Sequence, residues 1–491
     1  MGKTCLSSVI PCARPARETY FFILLYHTFT RESTVFRKSV HYFSRRRGLH
    51  IEAKDGIIKA VANDGEGGIV LENERAYICI DLKSFFASVE CVERGLDPMT
   101  TRLVVADPAR SRGTICLAVT PAMKALGVRN RCRVFEIPPG IDYITAPPRM
   151  RLYLEYSAKI YSIYLDWFSR DDVHVYSVDE VFIDVTGYLA TYKKTPLELA
   201  RHLVSEVRGR SGIPAAAGVG TNLYLAKIAM DILAKRSPEF IAELNETTYR
   251  EKLWRHTPLT DFWRIGPGTA ERLEKLGVRT MEGVTRLPEA VLYKTFGVDA
   301  ELLIDHAWGR EPTTIPDIKS YKSKTHSITS GQVLMRDYSE DEAEIIIREM
   351  VDLLSLDLLD RGCVTPHLSL WIRYSTKTGA PPSNGGTKIN PPTESDRVLI
   401  PAALSLFRRI AVPGQPIRGV NISFDDIYCP AFRQATFFED DDAGERHRRL
   451  RKAVSEIRHR FGGNAILRGT DFEKGATTIE RNKQIGGHKA E

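Results

Sequence analysis

Three acidic residues lie at the ends of predicted strands or in the turn between two of them, a pattern typical of a metal site. Asp179 and Glu180 are adjacent, between two short runs rich in β-branched and aromatic residues, 173–176 and 181–185, so the pattern predicts a β-hairpin. Neighbouring carboxylates repel and are costly to bury, and a bound divalent cation relieves that cost. A solvated turn that carries two acids is the alternative, because turns favour Asp.

The third acid, Asp81, follows the apolar run 76–80, which predicts a strand buried on both faces. A segment with helical spacing, 84–90, comes directly after it, so Asp81 is also a candidate cap for that helix. Asp81, Asp179 and Glu180 together have the chemistry to hold two Mg²⁺ ions, each bound by carboxylates and substrate phosphates.

These acidic segments resemble the metal motifs of Y-family translesion DNA polymerases. Ile-Asp-Leu-Lys-Ser-Phe-Phe-Ala-Ser-Val-Glu at 80–90 is similar to the family's opening motif, and Tyr-Ser-Val-Asp-Glu at 176–180 is similar to its second metal motif. The resemblance extends from Glu74 to the C-terminus and is closest to the UmuC-like branch (ImpB/MucB/SamB). It implies a DNA-directed DNA polymerase that copies past damaged bases in DNA repair and an SOS-type damage response.

The resemblance implies an α+β multidomain protein with the right-hand polymerase architecture. The expected domains are an atypical, disordered N-terminal extension (1–73), a palm (74–84 and 151–245), fingers (85–150), a helix-hairpin-helix thumb (246–312), a linker (313–324), a little finger (325–430) and a C-terminal tail (431–491). The first fifty residues contain only Glu18 and Glu32 as acids, a composition similar to an organellar transit peptide. A wrongly assigned start codon would explain them equally well.

Composition is that of an ordinary globular protein with several domains. The 491 residues are 43% hydrophobic and 27% charged, and the net charge of +7 is compatible with nucleic-acid binding. No apolar stretch reaches the roughly 20 residues that span a bilayer, so no membrane partner is expected. The eight cysteines contain no C-x-x-C pair or zinc spacing, and Cys79 and Cys116 lie in apolar runs. We expect buried thiols in a reducing compartment and a cytoplasmic protein.

The resemblance also implies roles for individual residues around the metals. Asp81 and Asp179 would bind the catalytic metal, with Glu180 completing that site. Asp81 and the Leu82 carbonyl would bind the metal that carries the triphosphate. The expected cofactor is two Mg²⁺ ions, with Mn²⁺ able to substitute.

Four residues are candidates for binding the incoming deoxynucleoside triphosphate. Phe86, five residues after Asp81, corresponds to the family's aromatic under the deoxyribose, and its neighbour Phe85 should pack into the palm. Lys124 lies on a predicted helix, 121–127, where the family's Tyr is replaced by Pro121, and a solvated Lys is the alternative. Lys227 follows a Gly-Val-Gly-x-Asn stretch and would reach the β- and γ-phosphates.

Other segments indicate contacts with primer–template DNA and a sliding clamp. Gly266 and Gly268 belong to the predicted helix-hairpin-helix, where a backbone close to phosphate is needed, although an ordinary helical corner would look the same. Gln434, Phe437 and Phe438 resemble a clamp-binding peptide, with a buried Phe pair as the alternative. We expect the Gly-, Pro- and Asn-rich segment 376–396 to be a mobile loop. Residues 477–489 resemble the tail of Gram-positive UmuC-like proteins, with no evident mechanism.

Two other functions remain open from the residues. A palm-fold nucleotidyl cyclase also uses paired metal-binding carboxylates, but it has no need of a DNA-gripping hairpin at Gly266 and Gly268. A non-catalytic DNA-binding repair accessory protein is disfavoured because Asp81, Asp179 and Glu180 are all present.

Overall fold

The computed structural model describes residues 49–54, 57–62, 75–323, 326–430 and 441–491, and divides into two units, Met1–Glu74 and Arg75–Glu491. In the first unit, β1 (Leu49–Lys54) pairs antiparallel with β2 (Ile57–Ala62). The prediction of a disordered extension stays a prediction, since most of that segment lies outside the described residues. None of the helices in the described ranges is long and apolar enough to cross a membrane.

The larger unit alternates strands and helices. Its strands are β3 (Tyr77–Leu82), β4 (Leu103–Val105), β5 (Ala118–Val119), β6 (Ile144–Ala146), β7 (Val173–Val175), β8 (Glu180–Asp184), β9 (Ala215–Gly220), β10 (Ile241–Leu244), β11 (Ile328–Tyr338), β12 (Thr365–Tyr374), β13 (Ser383–Thr393), β14 (Ile417–Asp425), β15 (Gln484–Ile485) and β16 (His488–Lys489). Its α-helices are α1 (Phe85–Val92), α2 (Pro121–Ala125), α3 (Met150–Leu165), α4 (Leu189–Tyr192), α5 (Pro196–Ser211), α6 (Leu223–Ile228), α7 (Glu246–Leu253), α8 (Pro267–Lys275), α9 (Met281–Arg286), α10 (Glu289–Phe296), α11 (Asp299–Trp308), α12 (Ile315–Ser320), α13 (Glu340–Arg361), α14 (Asp396–Ile410), α15 (Asp441–Phe461) and α16 (Thr478–Arg481).

The expected palm is a five-stranded sheet in the order β10-β9-β3-β8-β7. Its centre is β3, antiparallel to both β8 and β9, and the apolar run 76–80 is buried as its sequence predicts. Residues from α1, α3 and α5 cover one face of this sheet, and residues from α6 cover the other. Helix α5 begins with a capping box, in which the Thr195 hydroxyl accepts from the Glu198 N–H and the Glu198 carboxylate accepts from Thr195. The central strand is therefore held rigidly from both sides.

Glycines in β9 allow a close approach of the next helical segment. A Cβ on Gly218 would lie 2.1 Å from the Ala226 carbonyl oxygen and 2.3 Å from the Met230 nitrogen. A Cβ on Gly220 would lie 2.2 Å from the Ala226 nitrogen. Because these neighbours are backbone atoms, no side-chain rotation could relieve the overlap. The small residues of this strand set the position of α6 against the sheet.

The expected fingers and thumb follow the predicted order. Strands β5, β4 and β6 form a three-stranded sheet, and α2 begins with Pro121 as expected for a first helical position. Gly127, just after this helix, has a φ of +84°, a conformation that Gly adopts without strain. Helices α7 to α11 form a separate apolar cluster with residues of α6.

Cys79 and Cys116 are free and buried, as predicted, and a disulfide joins Cys363 and Cys429.

The expected little finger is a four-stranded sheet, in the order β11-β14-β12-β13, packed with α13 and α14 around one core. The prediction of a loop over 376–396 was wrong, because β13 pairs antiparallel with β12. Its sequence is rich in Ser, Asn, Gly and Pro, which are rare in strands, and its two glycines lie close to neighbouring side chains. A Cβ on Gly385 would lie 2.9 Å from the Ile410 side chain, and one on Gly386 would lie 2.7 Å from the His367 ring.

We predict that Gly218→Ala destabilises the palm by about 3 kcal/mol, since the added methyl group has no space between β9 and α6. The measurement is the free energy of unfolding from urea denaturation. Gly209→Ala is the matched control, because Gly209 is exposed within α5 and its Cβ would meet nothing within 4 Å. This control should gain about 0.5–1 kcal/mol. Equal stability of the two variants would contradict the close approach.

Candidate active site

The structure brings the three predicted acids together at one end of the central strands. Asp81 on β3 lies directly opposite Glu180 on β8 in the antiparallel register. Asp179 precedes Glu180, and its carbonyl oxygen accepts a hydrogen bond of 2.9 Å from the Leu82 N–H. The predicted hairpin is confirmed, since β7 and β8 pair antiparallel. Asp81 and Glu180 therefore lie side by side on two neighbouring strands, with Asp179 directly before the second of them.

Burial makes negative charge costly at the hairpin. It raises the pKa of Asp179, opposed by a hydrogen bond of 2.7 Å from the Ser177 hydroxyl and increased by the nearby charge of Asp81. Burial also raises the pKa of Glu180, although the Lys227 ammonium acts against that shift. A cation next to these groups therefore stabilises their ionised forms.

A chain of alternating charges connects the two strands through the adjacent helix. Lys227 Nζ lies 2.8 Å from Glu180 Oε1 and 2.9 Å from Asp231 Oδ2. Lys235 Nζ lies 2.8 Å from Asp231 Oδ1 and 2.6 Å from Asp81 Oδ2. Each of the two strand carboxylates thus has its own lysine, and Asp231 joins the lysines.

Helical spacing explains how one segment supplies all three of these charges. Lys227, Asp231 and Lys235 are four residues apart, and residues at that spacing share a helix face. The helix changes from α to a π segment, Ala229–Leu233, and then to a 3₁₀ turn, Ala234–Arg236. Our sequence analysis missed Asp231 and Lys235. The signal was the pattern Lys-x₃-Asp-x₃-Lys directly after the Gly-Val-Gly stretch.

The two lysines differ in environment. Lys227 is 7% exposed and lies inside the chain of charges, whereas the Lys235 side chain is 39% exposed. Burial would lower the pKa of both ammonium groups, but the neighbouring acidic groups raise it, to about 12 for Lys235. Lys227 therefore has a structural partner on each side, and Lys235 is the more accessible cation.

Two further lysines stand near Asp81. Burial lowers the pKa of Lys83 to about 8, and the charges of Lys124 and Lys235 add to that shift. Burial also lowers the pKa of Lys124, with Lys235 as the next cause. The Lys83 Nζ lies 3.5 Å from the centre of the Phe240 ring. Because these cations repel one another, the site favours an additional anion.

The adjacent aromatic residues occupy different positions, as predicted. Phe85 is 3% exposed and belongs to the palm core. Phe86 is only partly buried, and its ring stacks on Tyr153 of α3 with centroids 4.5 Å apart and planes at 15°. The Tyr153 hydroxyl donates a hydrogen bond of 2.7 Å to Glu90, which fixes α1 against α3. Phe86 is therefore braced by Tyr153 at the edge of the palm core.

The predicted DNA-binding glycines lie at the start of a different helix, α8. Gly266 precedes α8 as its N-cap, and Gly268 lies in its first turn. A Cβ on either glycine would meet nothing within 4 Å, so this turn faces open space. Gln434, Phe437 and Phe438 lie outside the described residues.

The oxygen ligands of the acidic site suit Mg²⁺. In the part of the chain that the structure describes, no three Asp, Glu, His or Cys side chains are close enough together to hold a metal ion by themselves. Mg²⁺ usually takes one or two carboxylates and completes its shell with water and substrate phosphates. Lysine ammonium groups beside Asp81 and Glu180 show that both carboxylates favour a neighbouring cation. The residues therefore fit a metal that binds together with a phosphate substrate.

We predict that Lys227→Met destabilises the protein by about 3–5 kcal/mol, because Glu180 and Asp231 lose their buried counter-charge. Lys235→Met is the matched control. It should cost only about 1 kcal/mol, since the Lys235 side chain is more exposed and solvent screens its pairs. Urea unfolding at neutral pH measures both changes. A larger loss in Lys235→Met would contradict the structural role of Lys227.

Comparisons with known proteins agree with this architecture. Residues 80–231 match the model of the impB/mucB/samB family, and residues 325–437 match the model of its C-terminal domain. The UvrX protein of Bacillus subtilis (strain 168) is 29% identical over 84% of this chain and 97% of its own length. DNA polymerase IV of Pelotomaculum thermopropionicum (strain DSM 13744 / JCM 10971 / SI) is 29% identical over 82% of this chain and 96% of its own length.

A solved structure shows the same fold. A Y-family DNA polymerase chimera of Dbh and Dpo4 superimposes with a TM-score of 0.56 at 20% identity, covering 72% of this chain and all of its own. The match supports the arrangement of palm, fingers, thumb and little finger. With both family models matched in order over more than half of its length, the chain belongs to the impB/mucB/samB family.

Proposed function

We propose that this protein is a DNA-directed DNA polymerase that carries out translesion synthesis in DNA repair. The observation that carries this proposal is the pairing of Asp81 with Glu180 across two strands, with Asp179 beside them and lysines around them. This arrangement provides oxygen ligands for metal and positive charge for a triphosphate at one place. A nucleotidyl cyclase would use similar acids, but the open turn at Gly266 and Gly268 and the second, C-terminal domain match a DNA-binding polymerase.

Two Mg²⁺ ions are the proposed cofactor. Asp81, Asp179 and Glu180 would hold them with the Leu82 carbonyl, and Mn²⁺ has the same preference for oxygen. When bound, such ions supply charge stabilisation to the attacking and leaving oxygens of an in-line displacement. The chain's own contribution is to orient the carboxylates, which the Ser177–Asp179 and Leu82–Asp179 hydrogen bonds do.

The lysines would bind and orient the triphosphate of the incoming deoxynucleotide. Lys124 and Lys235 lie near Asp81, and the Lys235 side chain, although paired with Asp81 and Asp231, is 39% exposed and so is more accessible to a phosphate than Lys227. Lys227, predicted to reach the phosphates, is held by Glu180 and Asp231 and would support the site by positioning Glu180. We therefore assign the direct phosphate contact to Lys235 and Lys124.

The DNA would be held through its backbone, and a clamp would tether the enzyme. The first turn of α8 offers unpaired N–H groups and a favourable dipole to a phosphate, with Gly266 and Gly268 leaving room for its approach. A sliding clamp would bind Gln434, Phe437 and Phe438, and the protein would act in the cytoplasm, where bacterial DNA lies. Primer–template DNA and deoxynucleoside triphosphates are the proposed substrates.

Primer extension on damaged and undamaged templates tests the activity. Asp81→Ala and Asp179→Ala should each abolish extension, because one ligand of the proposed metals is lost. DNA binding, measured by fluorescence anisotropy, should remain, since the apolar cores of the expected thumb and little finger do not include Asp81 or Asp179. Extension by either variant above a few per cent of the wild-type rate would exclude these residues as catalytic.

The choice of sugar should depend on Phe86. Its braced ring would leave no room for a 2′-OH, and a buried hydroxyl there would lack a partner. We predict that Phe86→Ala sharply raises the ratio of ribonucleotide to deoxynucleotide insertion efficiency. Phe85→Ala should instead lower stability by about 3–5 kcal/mol, as for a buried aromatic. An unchanged insertion ratio in Phe86→Ala would show that another residue selects the sugar.

Clamp attachment should depend on the peptide around Gln434. Combining Gln434→Ala, Phe437→Ala and Phe438→Ala should reduce processivity when a clamp is loaded, because the anchoring side chains are removed. Insertion of a single nucleotide without a clamp is the control and should not change. Normal clamp binding by the triple variant would assign these residues a structural role.

A further inference from the structure

The C-terminal segment 477–491 connects two parts of the molecule that are distant in sequence. We call this segment the C-terminal strap. It begins on the little finger, contains α16 and the β15–β16 hairpin, and ends against the fingers and the start of α3. The proposed chemistry makes no use of it.

One buried carboxylate attaches the strap to the little finger. Glu349 of α13 is 2% exposed, and its oxygens accept from the backbone N–H groups of Thr477 and Thr478, each with a contact of 2.9 Å. The Thr477 hydroxyl also donates to Glu349, at 2.9 Å. Gln332 of β11 donates to the Thr477 hydroxyl and accepts from Arg481. Because Glu349 is buried and all of these polar groups are paired, this end of the strap is firmly fixed.

The free end of the strap is shaped by a tight turn. Gln484 pairs with Lys489 and Ile485 with His488. Gly486 and Gly487 connect the two strands with φ values of +60° and +82°. A two-residue hairpin of this type requires positive φ at both positions, which glycine supplies without strain. The Gly-Gly pair therefore directs Lys489 and the last residues back towards the fingers.

The strap makes polar contacts with the fingers and the palm. Lys489 Nζ lies 3.0 Å from Oδ1 of Asp107, a carboxylate that is 6% exposed at the end of β4. Arg110 donates a hydrogen bond of 3.2 Å to the Gly487 carbonyl oxygen. The Ala490 carbonyl oxygen accepts a hydrogen bond of 3.0 Å from the N–H of Arg151, in the first turn of α3. An N–H in the first turn of a helix has no acceptor within that helix, and here the strap supplies the acceptor.

We propose that the C-terminal strap ties the little finger to the fingers and α3, and so sets the width of the groove that receives primer–template DNA. Along the chain, the fingers are connected to the little finger through the palm, the thumb and the predicted linker, 313–324. A second connection at Asp107 and Arg151 limits the separation of the domains and raises their effective concentration for one another. The consequence for DNA rests on the proposed function, whereas the tie itself is a property of the free protein.

The tie is tested on the full chain without DNA. Lys489→Glu places a carboxylate beside Asp107 and should release the strap, as should deletion of residues 484–491. Lys489→Arg should keep it. Lys483→Glu is the matched control, because Lys483 lies in the same segment but pairs with Glu480 at 2.8 Å and does not contact the fingers.

Two measurements report release. Amide hydrogen exchange at Arg151 should become about tenfold faster in Lys489→Glu and in the deletion, since the bond to Ala490 is lost. Small-angle X-ray scattering should show a larger radius of gyration in the same two variants. Lys489→Arg and Lys483→Glu should behave like wild type. Unchanged exchange and scattering in Lys489→Glu and in the deletion would overturn the proposal.

Kinetics separate a tie between domains from a general loss of stability. With the strap released, the Kd for primer–template should rise about tenfold, because the groove must be closed at the expense of binding energy. The kcat for single-nucleotide insertion at saturating DNA should stay unchanged, since the acids and lysines are untouched. A similar fall in kcat in Lys489→Glu and in the deletion variant would contradict the tie. If the wild-type protein fails to extend primers, the exchange and scattering results still decide whether the strap joins the domains.

Discussion

The like charges of Asp81 and Glu180 are the constraint on which the centre of this protein depends. Their register places them side by side on adjacent strands, in a sheet covered on both faces. Neighbouring carboxylates repel one another, and cations beside them offset that repulsion. Lys227 and Lys235 provide these cations, and Asp231 keeps the lysines apart while it neutralises their mutual repulsion.

This electrostatic requirement is also a packing requirement. Lysines that reach the strand ends must be carried by a helix lying almost against the sheet. Gly218 and Gly220 permit that approach, because any Cβ would overlap the backbone of α6 and the turn after it. The same closeness buries Lys227 and Glu180, so an unpaired charge on either of them would cost more than on a surface. The glycines of β9 and the charges of the helix therefore depend on one another.

The elements that the sequence predicted correctly are those in which the local residue pattern agrees with the observed burial. The apolar run before Asp81 and the hairpin before Glu180 predicted their strands, and the different burial of Phe85 and Phe86 followed from helical spacing. The strand β13 was not predicted because Ser, Asn, Gly and Pro disfavour strands. It forms because it pairs with β12, and Gly385 lies so close to the Ile410 side chain that a Cβ there would be 2.9 Å away. Lys235 was missed because its partner, Asp81, is distant in sequence, although its spacing from Asp231 was visible.

The contacts of the strap also could not be predicted from sequence, because they join residues that are distant along the chain. Its Gly-Gly turn is readable from sequence, but the carboxylates that receive it, Glu349 and Asp107, belong to two different domains. With the strap in place both carboxylates are nearly inaccessible to solvent, and the strap supplies hydrogen-bond donors to each of them. Short-range pairing within the palm positions the charged residues of the candidate active site. Long-range polar contacts such as those of the strap connect the domains to one another, and they depend on residues too far apart in sequence for a local pattern to show.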